Sequence, residues 1–375
     1  MSEYQYFEFR ALDRPLSEAD QKALRALSTR ARITATSFTN HYEWGDFKGD
    51  PRQLMERWFD LHLYLTNWGT RRLMMRLPKR LVERARLDGL FDVDWLDVWE
   101  NGENLIVDMA RDDIEPGYDD WDDGSGWLGV LAPLRDDVLS GDLRLFHLLW
   151  LMALEDGLLE DDACEPLAGI GPLTGGLQAA ADFFVMDPDL VQAAAERADG
   201  PDPTLSTDVI RATIAGLSDA EKTDLLVRVA DGAPHVAVEL KQSVRTGHAG
   251  PVAAPRTVGA LTARAAEVRG ERERVEAERL AEERRRRERE AERARRKRLY
   301  ELRQRENAVW QEIETDIARR NASSYDRAAA LLFDLKAIAT EDGTTAEFVR
   351  RLDSIRDRHA GKGRFLERLQ DLDTR

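Results

Sequence analysis

Hydrophobic positions fall in short runs up to about Met109 and take a helical spacing beyond Trp127. Tyr4–Arg10 is aromatic-rich and predicts a strand. Leu16, Ala19, Ala23, Leu24 and Leu27 recur at helical spacing, and Ser17 with Asp20 suits the start of that helix. The β-branched stretch Arg32–Phe38 predicts a second strand. Asp50-Pro51 opens a further helix, with Asp50 as its cap, Pro51 in its first turn and Leu54, Met55, Trp58 and Phe59 as its apolar face. Leu61–Leu65 and Leu73–Leu77 predict strands around an Asn67–Thr70 turn. Trp95–Trp99 and Leu105–Met109 flank Asn101-Gly102, a hairpin signal. Five or six strands and three helices are expected over this α+β stretch.

From Leu128 to Leu159 the pattern is helical, with a break at Gly141-Asp142. Short helices follow at Gly176–Phe184, Pro188–Arg197, Thr207–Leu217, Asp219–Arg228 and Pro234–Thr246. Gly247–Pro255 reads as a linker. A charged stretch without proline then runs to about Asn307. Its interior lacks a heptad seam, because only alanines interrupt the charges across Glu282–Arg298, and this argues against a continuous coiled coil. Glu283 with Arg287 and Glu292 with Arg296 attract at i, i+4, whereas Glu278–Glu282, Glu288–Glu292 and Arg285–Arg289 repel. Strong helix formers supply the remaining stability. A helix of roughly 50 residues would reach about 75 Å.

Apolar periodicity returns with Val309, Trp310, Ile313 and Ile317. A second helix carries Tyr325, Ala328, Ala329, Leu332 and Leu335, with Ser323 or Ser324 as its cap. A third carries Phe348, Leu352 and Ile355, and a short fourth Phe365, Leu366 and Leu369. The expected organisation is an α+β domain at 1–126, a helical region packed on it at 127–246, a linker at 247–256, a charged helical arm at 257–307 and a small C-terminal helical hairpin or repeat unit at 308–375. A unit of that size is marginal alone and is expected to dock on a partner.

Within the last unit, Tyr325, Asp326, Ala328, Leu331, Leu332, Asp334 and Leu335 are followed by Phe348, Arg351, Leu352, Ile355, Arg356 and His359, then Leu366, Arg368 and Leu369. Over about 60 of the 375 residues this resembles the tail of bacterial SWIM zinc-finger proteins. The resemblance implies a shared docking tail. It does not extend to the zinc site, which needs three cysteines and a histidine, whereas this chain has one cysteine, Cys164. The start, MSEYQYFEF, resembles uncharacterised bacterial proteins of the same layout and implies no activity.

Composition narrows the function classes. Eight of nine tryptophans lie between Trp44 and Trp150, so the main core is expected in the first half. A single cysteine excludes an intramolecular disulfide and suits a reducing compartment. The N-terminus has no apolar segment of signal-peptide type. The longest apolar run, Leu145–Leu154, is too short to span a bilayer. A cytoplasmic location without membrane association is expected. Net charge is −16, which disfavours non-specific binding to DNA or anionic lipid. Arg269–Arg298 runs against that balance, with 14 basic residues and 9 acidic ones.

No catalytic pattern emerges, and no enzyme activity, cofactor or metal is expected. None of the six histidines has metal-ligand spacing, and His147 reads as a satisfied core residue. Leu173–Leu177 lacks the Gly-Lys-Ser/Thr of a phosphate loop. The acidic stretch Asp112, Asp113, Glu115, Asp119, Asp120, Asp122 and Asp123 reads as a solvated loop, with a hard divalent cation as the other assignment. Tyr42, Trp44, Phe47 and Trp68 read first as core. With Arg71 and Arg72 they would otherwise make a stacking and ion-pairing surface for a partner. Tyr325, Phe348 and Phe365 are the corresponding candidates in the tail. Arg284, Arg285, Arg286, Arg287, Arg295 and Arg296 are candidates for phosphate contact. The expected function is that of a non-enzymatic adaptor or scaffold with protein partners or self-association through the arm or tail. A nucleic-acid-associated factor of bacterial stress or phage defence stands second.

Overall fold

In the computed structural model, which describes residues 3–82, 84, 87, 93, 95–114, 122–197, 206–247 and 254–373, the early hydrophobic runs become a seven-stranded antiparallel sheet. Its strands are β1 Gln5–Arg10, β2 Arg32–Ile33, β3 Ser37–Tyr42, β4 Leu61–Thr66, β5 Arg71–Pro78, β6 Leu96–Asn101 and β7 Asn104–Arg111, in the order β2-β3-β1-β4-β5-β7-β6. The expected strand at Arg32–Phe38 is in fact two. Thr34 and Ser37 close a turn, with the Thr34 amide donating to the Ser37 carbonyl at 2.9 Å, and the chain reverses there. Asn101-Gly102 makes its hairpin, with Gly102 at φ +56.

Alternation divides the side chains between two faces. In β4, Leu61, Leu63 and Leu65 enter a large core with Leu73, Met75, Leu77, Leu105, Val107 and Met109. Phe7, Phe9, Phe38, Met74 and Ile106 face the other way, under helices α1 Glu18–Leu27 and α2 Pro51–Arg57. Both helices start as the sequence requires. The Ser17 hydroxyl accepts from the Asp20 amide, and the Asp50 carboxylate accepts from the Arg52 amide.

The large core is covered by α3 Trp127–Leu131, α4 Pro133–Leu139, α5 Arg144–Glu155, α6 Gly175–Phe183 and α7 Pro188–Ala195. Next come α8 Thr207–Gly216 and α9 Asp219–Ala230, which bury no residue, and α10 Val236–Gly247. The charged helix α11 runs from Val258 to Gln304. Its first turns are not part of a free arm, because Val258, Leu261 and Ala265 lie in the large core. Arg256 clamps both oxygens of Glu165 just before it, and Arg272 donates to both oxygens of Asp189 at 2.8 and 2.9 Å.

The chain divides into two units, Met1–Arg272 and Glu273–Arg375. In the second, Leu299 and Leu302 from the end of α11 join a helical core. The other contributors are α12 Glu306–Ala318, α13 Ala322–Glu341, α14 Thr345–Arg358 and α15 Gly363–Leu366, with a closing 3-10 turn and α16 Gln370–Asp373. The cap of α13 is Asn321 rather than Ser323 or Ser324. Its side chain accepts from the Ser324 amide, so the helix begins a residue or two early and Ser324 is buried. Among the described residues, no helix is long and apolar enough to cross a membrane.

Candidate functional site

Registers place several candidate residues at one end of the sheet. Gln5 pairs with Tyr42 on one side and Thr66 on the other, so the loop after β3 and the turn after β4 emerge together. Trp44 and Trp68 ride on these two connections, 77% and 46% exposed. Tyr42 and Phe47 go inward instead. Phe47 packs 5.2 Å from Phe7 and 5.6 Å from Phe38, and Tyr42 meets Phe7 edge-on.

Arg71 and Arg72 do not share a surface. As neighbours on one strand they point to opposite faces. Arg71 turns toward the helical layer, 3.3 Å from Asp122 and 5.5 Å from the Phe183 ring. Arg72 makes a two-point contact with Asp108 on the opposite face, Nε to Oδ1 at 2.7 Å and Nη2 to Oδ2 at 2.5 Å. The single recognition surface expected from these arginines and the tryptophans is therefore not assembled.

Arg72 lies instead in a polar trough. The Tyr64 hydroxyl donates to Gln5 Oε1 at 3.1 Å, and Gln5 Nε2 donates to Asp46 at 2.9 Å. Burial, with the Asp46 charge adding to it, pushes the Tyr64 hydroxyl up to about 12, so it stays protonated as a donor. Arg52 lies 3.8 Å over the Trp99 ring and 2.8 Å from Asp97, and Thr70 donates to Asp112 at 2.6 Å. Two adjoining hollows share Tyr64 and Arg72. One of about 230 Å³ lies toward Gln5 and Phe47, and one of about 560 Å³ lies toward Asp97 and Asp108. Local sequence gives no hint of this trough, since its residues come from β1, β4, β5, β6, β7, helix α2 and the loops between them.

No protein family, curated protein or solved structure matches this chain.

In the second unit, Phe365 is fully buried, Phe348 and Tyr325 nearly so. Tyr325 packs 5.7 Å from Phe365. The structure thus makes these three part of the unit's own core rather than an outward surface, packed in one cluster with Ile313, Ile317, Leu332 and Ile355. What remains open is a groove of about 910 Å³ between α12 and α14, with Trp310 and Ile355 beside Arg350, Arg351 and Arg358. Arg351 stacks 5.6 Å over Trp310, and Arg358 pairs with Glu314 at 2.7 Å.

Of the six candidate arginines on α11, four bridge to glutamates of the same helix. Arg284 reaches Glu288 at 2.9 Å, Arg286 reaches Glu290 at 3.2 Å, and Arg287–Glu283 and Arg296–Glu292 close at 2.5 Å. Arg285 and Arg295 carry no such bridge among the described residues. Of the acidic stretch, residues 115–121 lie outside the described residues, as does His248. Asp123 binds the Ser125 amide and hydroxyl, which hold its carboxyl below its usual range.

His147 is in the core as expected, but among the described residues neither ring nitrogen has a hydrogen-bond partner. Its Nε2 lies 3.6 Å from Glu165, beyond bonding distance. Burial, reinforced by the Arg256 charge, pulls it down to about 3. His62 is similarly displaced, to about 3, by burial and the Arg72 charge against the pull of the Glu8 carbonyl.

Proposed function

We propose that this chain is a non-enzymatic assembly protein of the cytoplasm, in which α11 acts as a charged spacer between two protein-binding units. The observation that carries this reading is the environment of α11. From Glu273 to Arg298 it has no buried residue, yet its earlier turns supply Val258 and Leu261 to one core and its later ones Leu299 and Leu302 to another. A helix with no apolar seam has nothing to bury against a second helix, so spacing is the role its chemistry suits.

Exposed Trp44 and Trp68 in the first unit have the aromatic character of interface centres, and the Trp310 groove in the second adds arginines to it. The resemblance of the tail to that of SWIM zinc-finger proteins fits a docking role for the second unit. A nucleic-acid role is weaker, because four of the six arginines would have to release a glutamate before meeting a phosphate.

Light scattering and co-purification from the native host test the proposal. Partners, or a second copy, should be retained by the parent chain. They should be lost from one side in Trp44→Ala/Trp68→Ala and from the other in Trp310→Ala/Arg350→Ala. A monomer that retains nothing sinks the reading. Salt-dependent RNA or DNA binding that vanishes when Arg284–Arg287 become glutamine would favour the second reading instead.

A further inference from the structure

Segments distant in sequence meet at the end of the sheet where β1 begins. Tyr42 and Thr66 flank Gln5 in the registers of β3 and β4, so the connections carrying Trp44 and Trp68 start two strand spacings apart, about 10 Å. Between them, Asp46 accepts from the Gln5 side chain at 2.9 Å. The stretch after β7 joins the Trp68 turn. There the Ile114 amide donates to the Gly69 carbonyl at 3.2 Å, and the Thr70 hydroxyl donates to Asp112 at 2.6 Å. The segment before α3 closes the group, because the Tyr4 hydroxyl donates to the Asp123 carbonyl at 2.9 Å. Burial raises the Tyr4 hydroxyl, and the charges of Asp123, Asp122 and Glu43 add to it, as expected of carboxylates gathered around one point.

Two properties coincide at this end. Trp44 and Trp68 leave large apolar rings in water. Around them Glu3, Glu43, Asp46, Asp112, Asp113 and Asp123 are exposed, and among the described residues none of them forms an ion pair. Positive charge is scarce by comparison. Arg71 is held by Asp122 at 3.3 Å, which leaves exposed Lys48 against those carboxylates. Ring faces and carboxylates both attract a cation. A guanidinium suits both at once, because it stacks flat on an indole while its N–H edge meets a carboxylate.

We propose that this end of the first unit docks an arginine-rich segment of a partner protein, with guanidinium groups stacked on Trp44 and Trp68 and paired with carboxylates such as Glu43 and Asp113. The inference rests on the assembly reading above and names the chemistry of the partner that the first unit takes. Stacking sets arginine above lysine here, since the planar guanidinium is more weakly hydrated than an ammonium.

Hexa-arginine, hexa-lysine and hexa-glutamate are the probes, each titrated into the full chain carrying 15N-labelled tryptophan. The Trp44 and Trp68 indole signals are assigned by their loss in Trp44→Phe and Trp68→Phe. Hexa-arginine should move both signals to saturation, hexa-lysine should bind about tenfold more weakly, and hexa-glutamate should move neither. Calorimetric titration with hexa-arginine should show about tenfold weaker binding in Trp44→Ala/Trp68→Ala and in Glu43→Gln/Asp113→Asn. Asp219→Asn/Asp224→Asn removes the same charge from α9 and should leave affinity unchanged. All these positions are exposed, so each variant should keep the parent's melting temperature. Indole signals unmoved at millimolar hexa-arginine overturn the proposal. So does equal binding of hexa-lysine, or equal weakening in the α9 variant, which would mean that the peptide senses only net charge. In co-purification, a partner lost from Trp44→Ala/Trp68→Ala but kept by Glu43→Gln/Asp113→Asn overturns this proposal and leaves the assembly reading standing. A chain that retains no partner sinks that reading, while the peptide titrations still decide this one.

Discussion

Asp13 and Arg135, 122 residues apart in sequence, form a two-point ion pair, with Arg135 Nη1 and Nη2 donating to the two carboxylate oxygens at 2.8 and 2.6 Å. Arg135 is 1% exposed, and its Nε donates to the Arg76 carbonyl at 2.8 Å. Asp60 lies 3.7 Å from the same guanidinium and accepts from the Leu12 and Asp13 amides and from Arg76. The loop after β1, the start of β4, strand β5 and helix α4 are tied at this point.

Arg135→Met should therefore destabilise the first unit by about 3 kcal/mol in urea unfolding, because it takes the two-point partner from Asp13 and leaves the Arg76 carbonyl without the Arg135 donor. Adding Asp13→Asn should recover part of that loss. Burial opposes ionisation of Asp13, but its bonds to His235 and Arg135 outweigh it and hold the carboxyl below its usual value. Its contribution is thus complete above about pH 4 and is lost as pH falls below that.

The two buried imidazoles act over a higher range. His62 and His147 stay neutral in the fold down to about pH 3, whereas in the unfolded chain they take up protons below about pH 6.5. Unfolding therefore binds protons, and stability should fall steadily as pH drops from about 6.5 toward 3. His62→Phe should flatten this slope, measured as the urea midpoint at successive pH values.

Gly69 sits at φ +100, and an added Cβ would strike the Ile114 carbonyl. Gly69→Ala should cost more than about 1 kcal/mol through strain alone. It should also displace Trp68, read as a change in tryptophan emission that scales with the loss of stability.

Phe365→Ala opens a cavity in the small helical core. A loss of about 3–5 kcal/mol is expected, enough to unfold the second unit while the first keeps its own thermal transition. Calorimetry of the full chain would resolve the two transitions.

Much of the local structure was legible because it depends on neighbours in the chain. Ser17 with Asp20, Asp50 with Pro51 and Asn101 with Gly102 each act within three residues, and each behaves as its chemistry requires. The exposed interior of α11 was legible for the same reason, since its ion pairs span three or four residues. The candidate residues were legible only as types. Alternation along β5 sends Arg71 and Arg72 apart, and nothing local says which of them meets an open trough. Phe348 and Phe365 have the same aromatic character whether they face a partner or their own core.

The amino-acid sequence by itself determined the element boundaries marked by a strong local signal, such as those at Ser17, Asp50 and Gly102, and that α11 has no apolar seam, because caps, turns and periodicity are short-range. Tertiary structure alone decided that β1 lies between β3 and β4, that the first turns of α11 are built into the core, and that His62 and His147 are buried with nitrogens unbonded among the described residues. Those outcomes rest on side chains brought together from distant positions, where burial and the matching of donors to acceptors are settled by the whole fold.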